Sequence, residues 1–301
     1  MFAIIITDYH SMDQTFDYLK RVMDYVIGDF KVIIVDNGMT NSGRQFLISD
    51  GCVFKEFQIS NERILTFDFK SHTVVMVEAD NNGGYAGGNN LGVSICNKLY
   101  NVDYFIFSNN DIRFIEKIRL DKFMDFFKKN PDIGILGPKI ISPEGNDQNP
   151  RREMSFFTQM IVWDFNILLF RGRLNKYVWN LDQTAKSSKI NGWVSGSFMV
   201  VRRDIFDQVK GFDETIFLYA EEMILSTKFR QIGFNTYYND QVKLVHYHRG
   251  SLPSRKQRLW NHESKRYYYQ RYKGVGNFRL RISDLIFNIV DWLYRRRHGG
   301  K

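Results

Sequence analysis

Four short apolar runs constrain this chain more than any other feature: FAIII at 2–6, VIIV at 32–35, TVVMV at 73–77 and YFIF at 104–107. Near-continuous apolar runs of this length suit parallel strands covered on both faces. Between the first two, Phe16, Leu19, Met23 and Val26 recur at helical spacing, with Asp13 or Thr15 as the expected cap. Residues 86–100 and 118–129 are further helix candidates. The β-α-β order predicts a doubly wound α/β architecture.

Each run ends in polar residues: Thr7-Asp8, Asp36-Asn37, Asn81-Asn82 and Asn109-Asn110-Asp111. Asn and Asp favour turns, so one such end means little. Four together predict a shared crevice, because ligands of open α/β sheets bind beyond the carboxyl ends of the strands.

From 138 to 190 the regularity fades. The run SFFTQMIVWDFNILLF at 155–170 is broken by Asp164 and too short and polar for a membrane span, so it reads as a core helix or a lip for a lipid-linked partner. INGWVSGSFMVVRRDIF at 190–206 reads as a strand entering a helix. No internal repeat stands out.

Charge separates the tail from the rest. The net charge is +9, yet residues 251–301 hold 13 Lys or Arg against 3 Asp or Glu, and the first 250 residues are near neutral. Nucleic acid, an anionic membrane surface and a solvated helix face are the readings this leaves open. Within the tail, Ile282, Leu285, Ile286, Ile289 and Leu293 form an apolar stripe, with Trp292, Tyr294 and three arginines at its end. Such a helix lies on a membrane, or buries its stripe on the main domain or against a second copy of the chain. Cys52 and Cys96 lack metal-ligand spacing, which suits free thiols in a reducing compartment. MFAIIITDYH has no basic leader region and reads as a first strand.

Three stretches carry candidate chemistry. NNGGYAGGNNLG at 81–92 lacks the lysine of a P-loop and does not match G-x-G-x-x-G. Its glycines still let the backbone approach a ligand, and its asparagines supply donors and acceptors. GFDETIFLYAEEMILSTKFRQIGF at 211–234 gathers Asp213, Glu214, Glu221 and Glu222. On a helix the adjacent Glu221 and Glu222 point about 100° apart, so one of them faces a given site. An acidic first helical turn, favoured by the helix dipole, is the bland alternative. LVHYHRGS at 244–251 puts His246 and His248 on one face of an extended segment, as metal ligands or as ordinary packing residues.

In order, IIVDNG, the glycine-asparagine loop, SNND, GWVSGSFMVVRRDIFDQVKGFDETIFLYAEE and VHYHRGS resemble the family 2 glycosyltransferases with the GT-A fold, in their rhamnosyltransferase-like branch. The resemblance covers about residues 1–251. It implies a GT-A type sheet, mixed and mostly parallel, flanked by helices. The expected division is a GT-A domain over 1–250, with a nucleotide-binding half (1–112) and an acceptor or catalytic half (113–250), followed by a basic helical extension over 251–301. The implied activity is inverting, metal-dependent transfer of a sugar from a UDP- or dTDP-type donor to a hydroxyl of a glycan or lipid-linked acceptor, in bacterial surface polysaccharide (capsule or O-antigen) synthesis.

By the same resemblance, Thr7 and Asp36 contact the donor nucleotide, with Asp36 reading the pyrimidine. Asn82, Gly84 and Asn89 belong to the loop that closes over the nucleotide-sugar, and Asn109 and Asn110 line it. Asp111 is the last acid of the DxD motif and, with His246 or His248, holds a divalent cation (Mn2+ or Mg2+) on the diphosphate. Glu222 falls at the general base, with Glu221 as its competitor. Two departures stand out. Asn109 replaces the first DxD acid, and the family's EDxDL reads EEMIL, with Ile224 at its second aspartate. A catalytically degenerate GT-A domain binding a nucleotide or a membrane surface is therefore the alternative reading. The expected location is cytoplasmic, peripheral at the inner face of the plasma membrane where the tail docks. Homodimerisation is a further partner expectation, and nucleic acid is not expected.

Overall fold

A computed structural model describes residues 1–38, 41–170, 186–247 and 254–298. Eleven strands form its main sheet: β1 (Phe2–Asp8), β2 (Phe30–Asp36), β3 (Phe54–Ile59), β4 (Glu62–Phe69), β5 (His72–Glu78), β6 (Tyr104–Ser108), β7 (Ile112–Phe114), β8 (Ile133–Ile141), β9 (Ser188–Lys189), β10 (Phe198–Arg202) and β11 (Asn235–His246). The order across the sheet is β9-β11-β8-β10-β6-β1-β2-β5-β4-β3, with β7 paired to the far end of β11. The four apolar runs of the sequence form its parallel centre, β6-β1-β2-β5. Antiparallel β10 joins that centre to β8.

Alternation along the strands explains why those runs are apolar throughout. Ile4, Ile6, Val32 and Ile34 face one buried cluster with Phe16 and Leu19 of α1 (Met12–Tyr25) and Phe123 of α4 (Leu120–Lys129), beyond α2 (Ser42–Ser49). Ala3, Ile5, Ile33 and Val35 face another, built with α3 (Gly84–Leu99) and with Phe206 of α6 (Arg203–Gln208). Helix α1 begins one residue before Asp13, and no side chain caps its Ser11 start. The expected caps therefore sit inside the helix, where Thr15 turns inward and donates to Asp8.

The 155–170 run is helical: a π-turn at Thr158–Val162 continues into α5 (Trp163–Phe170). With α7 (Glu221–Gln231), α8 (Arg255–Lys273) and α9 (Asn277–His298) it encloses a third cluster, in which Met160, Trp193, Ile216, Met223, Ile224, Tyr268, Tyr269 and Leu280 are buried. Ile224 is fully buried there, so an apolar side chain suits the place where the family carries its second aspartate. The basic tail is thus two helices: α8 packs on the element that begins with Glu221 and Glu222, and α9 packs on α8 and on α5. The stripe at Ile282, Leu285, Ile289 and Leu293 is not the docked face; Leu280, Ser283, Phe287 and Val290 are.

Candidate active site

The parallel strands β1, β2 and β5 end in register with three acids, Asp8, Asp36 and Glu78. Asp8 is fully buried. It accepts from the Ser11 and Thr15 hydroxyls at 2.8 and 2.6 Å and from the Asn110 amide at 3.3 Å. Asn110 also donates to Ser11 and Thr15, so its side chain holds the SNND turn onto β1. Asp36 accepts from the backbone N–H groups of Gly38 and Gly43 and from the Ser42 hydroxyl. Three donors leave room for about one more on a carboxylate. Burial raises the Glu78 carboxyl above its usual range, against the nearby Arg63.

The glycine-asparagine loop forms the start of α3. Asn37 donates to the side-chain oxygen of Asn82 at 3.0 Å and to the Gly84 carbonyl at 3.1 Å, and accepts from Gly83 N–H. Gly84 has φ +66°, and a Cβ there would lie 1.9 Å from the Phe217 carbonyl oxygen, so only glycine lets this loop meet the segment before Glu221. Asn89 is buried, and its amide donates to the Tyr85 carbonyl within the helix. Thr7 has a buried hydroxyl with no hydrogen-bond partner among the described residues.

Asp111 and His246 meet. His246 Nε2 lies 3.1 Å from Asp111 Oδ1, and its Nδ1 lies 2.7 Å from Gln148 Oε1. When Nδ1–H donates to Gln148, Nε2 and the carboxylate oxygen point lone pairs at each other. Lone pairs so placed are the kind of donor set that a divalent cation can share. β7 and the end of β11 pair as Ile112 with His246, and Tyr247 N–H donates to the Asp111 carbonyl, which fixes the two side chains side by side. His248 lies outside the described residues.

Glu222 is anchored across the chain. Its Oε1 accepts from Gly196 N–H at 2.8 Å, and the Gly196 carbonyl accepts from the Tyr85 hydroxyl at 2.8 Å. A Cβ on Gly196 would lie 2.5 Å from the Tyr85 oxygen and 3.0 Å from Glu222 Oε1. The next residue, Ser197, accepts from Asn109 N–H at 2.9 Å. Ser195 N–H donates to Asn149, the neighbour of Gln148. One short segment, 195–197, therefore gathers Glu222, the SNND turn and the support of His246.

Glu221 differs sharply from its neighbour. It is buried, and its Oε1 has no partner among the described residues. Burial, and then the charge of Glu222, push its carboxyl well above the usual range, which keeps it neutral near pH 7. Tyr219 and Ala220, just before it, both take left-handed conformations, φ +72° and +68°, and Glu221 and Glu222, the first two residues of the helix, point about 100° apart. Arg151 is half-buried. Desolvation lowers its pKa, and the field of Glu222 opposes that shift.

Tyr85, Gln148, Gly196 and Arg151 were not singled out from the sequence. Their contacts reach between 26 and 111 residues along the chain, and no local pattern announces a side chain that works at that range.

No protein-family model matches the chain. It is 30% identical over 149 residues to an N-acetylglucosaminyl-diphospho-decaprenol L-rhamnosyltransferase of Mycobacterium tuberculosis, a match covering 48% of this chain and 47% of that protein. The chain thus spans about half the length of that relative. It is 22% identical over 269 residues to the rhamnosyltransferase WbbL of Escherichia coli K12, covering 82% of this chain and 83% of that one. Among solved structures, its fold matches a mannosyltransferase from Pyrobaculum calidifontis in complex with GDP-Man and Mn2+. The TM-score is 0.55 at 10% identity, covering 99% of this chain and 75% of the other.

The mixed sheet with a parallel centre flanked by helices is the GT-A fold. Within that fold, the chain is similar in sequence to rhamnosyltransferases.

Proposed function

We propose that the chain is an inverting, cation-assisted hexosyltransferase that moves a sugar from a UDP- or dTDP-type donor to a hydroxyl of a glycan or lipid-linked acceptor, on the cytoplasmic side, in the synthesis of a bacterial surface polysaccharide. The names of its relatives and the nucleotide-sugar in a structural neighbour support the class. The observation that carries the reading is the meeting of Asp111 with His246, joined through 195–197 to an anchored Glu222.

The residues present fit a divalent cation, Mn2+ or Mg2+. A carboxylate oxygen and an imidazole nitrogen lie 3.1 Å apart, and Gln148 orients the ring. Among the described residues no group of three His, Cys, Asp or Glu is placed to hold a metal, and Asp111 and His246 are the residues that would hold it. When bound, the cation offsets charge on the diphosphate as the sugar leaves. Asp36, with one acceptor position left, reads an N–H of the base, and Thr7 offers its unpartnered hydroxyl to the donor. Asn82 and Gly84 hold the loop over the nucleotide.

Glu222 takes the proton of the acceptor hydroxyl as that oxygen attacks the anomeric carbon from the face opposite the diphosphate. The bond to the diphosphate breaks as the new one forms, which inverts the centre. Gly196 N–H fixes the carboxylate's direction, leaving the second oxygen for the acceptor. The single acid of the 109–111 turn favours a second reading, a nucleotide binder without turnover.

Thermal melting with UDP, dTDP or GDP, each with and without Mn2+, separates the outcomes. Stabilisation that needs both nucleotide and cation is expected, about 2.7 kcal/mol at a hundredfold excess over Kd. Asp111→Ala should abolish the cation-dependent part. Binding without transfer of any sugar would favour the second reading, and indifference to all six conditions would overturn both.

A further inference from the structure

Helix α9 has two apolar faces, and the protein covers only one. Leu280, Ser283, Phe287, Val290 and Asp291 turn inward. On the opposite side Phe278, Ile282, Leu285, Ile289, Trp292 and Leu293 are exposed, Phe278 by 77% and Leu285 by 62%. At about 100° per residue these six fall within an arc of about 100°. Arg281 borders it on one side and Arg279 on the other, and Arg296 lies over the Trp292 ring at 4.0 Å. Helix α5, which packs against α9, adds exposed Phe165 and Leu169, one turn apart.

The charges of α9 are sorted in the same way. Its two acids lean toward α8: Asp284 pairs with His262 and Arg266, and Asp291 with Arg255 and Arg258. Among the described residues, no salt bridge reaches Arg279, Arg281 or Arg296. The outer face is therefore apolar in the middle and cationic at its rim, and its own acids are used up on the inside.

From this we infer that the outer face of α9, with the edge of α5, docks in the plane of an anionic bilayer. The apolar arc enters the acyl boundary, Trp292 sits at the headgroup level, and the rim arginines meet lipid phosphates. A second copy of the chain fits less well, because an isologous pairing sets arginine rim against arginine rim. No described helix is long and apolar enough to cross the membrane, so the contact is peripheral. The same helices enclose the cluster holding Met223 and Ile224, so docking would hold the Glu222 helix near the bilayer, within reach of a lipid-linked acceptor. The inference stands apart from the transfer reading.

The test is flotation of the full chain with phosphatidylcholine vesicles, with and without phosphatidylglycerol, at low and high salt. The expected result is binding to anionic vesicles that salt weakens. Leu285→Glu with Ile289→Glu should abolish it. Arg279→Gln, Arg281→Gln and Arg296→Gln together should weaken it roughly a hundredfold, at about fivefold per arginine. All these positions are exposed, and an unchanged nucleotide-dependent melting shift certifies the fold of each variant. Failure to float with anionic vesicles overturns the inference. So does light scattering that shows a dimer which Leu285→Glu with Ile289→Glu converts to monomer. Failure of the melting shift in the unaltered chain sinks the transfer reading and leaves the vesicle result to stand by itself.

Discussion

In residues 1–112, two of the three buried carboxylates at strand ends are ringed by donors from the turn that follows, and the third, Glu78, is met by Arg63 of the neighbouring strand. Asp8 is met by Ser11 and Thr15, and Asp36 by Gly38, Ser42 and Gly43. In residues 113–298, buried and half-buried charged groups draw most of their partners from far along the chain. Glu222 reaches Gly196, Arg258 reaches Asp291, and Asp213 accepts from Tyr267 and Tyr272. Lys265 lies over the Trp163 ring beside Asp164, and Glu221 has an oxygen without a partner. The first half carries its polar site in local turns. The second assembles one by tertiary packing, and it holds both acids that compete for the role of base. Damage should therefore stay local in the first half and spread in the second.

The largest expected effect falls on chemistry. Glu222→Gln keeps an oxygen to accept from Gly196 N–H, so the anchor survives while the carboxylate proposed as the base is lost. Turnover should fall roughly 10²–10⁴-fold, with nucleotide-dependent melting unchanged. Normal turnover in that variant would assign the base to Glu221 and erase the distinction drawn between the two acids.

Next comes the buried pair between α5 and α8. Burial raises the Asp164 carboxyl and lowers the Lys265 ammonium, and each charge opposes the other's shift, with Arg258 adding to the field on Asp164. Asp164→Ala leaves Lys265 buried beside Trp163 without that acid, at a cost of about 3–5 kcal/mol. Asp164→Leu together with Lys265→Met should recover most of it, because apolar replacement of a buried pair is often neutral. Urea denaturation of the three proteins checks this. Additive losses in the double variant would show that the two groups do not act as a pair.

The same contrast marks what could be read in advance. Strands β1, β2, β5 and β6 were legible because both faces of each are buried, which leaves an unbroken apolar run in the sequence. The β3–β4 hairpin was passed over. It lies at the sheet edge with Lys55, Glu56 and Arg63 in water, so its alternation is diluted by charge. Asp111 and His246 are both visible in the sequence, yet their contact depends on the β7–β11 pairing, and Gln148 reaches His246 across 98 residues. The tail stripe was visible too. Which of the two faces of α9 turns inward was not, because Ser283 and Asp291 on the buried side look like surface residues until Arg255 and Arg258 are placed beside them.

The smallest effect concerns Glu221, and its sign follows from burial. Desolvation, then the charge of Glu222, hold its carboxyl above the unfolded value near 4.3. Between those two values the folded chain binds more protons than the unfolded one. Stability contributed by this group is therefore full at low pH and declines as pH rises through the folded value, by up to about 1.4 kcal/mol per pH unit. Glu221→Gln presents a neutral side chain of the same shape at every pH, so it removes that slope. Asp164 and Lys265 titrate alike in both proteins, and the difference between their stability curves isolates Glu221. Urea midpoints measured from pH 5 to 8 should therefore show the variant gaining on the unaltered chain as pH rises. Parallel curves would mean that Glu221 is ionised in the fold and that burial does not hold its carboxyl neutral.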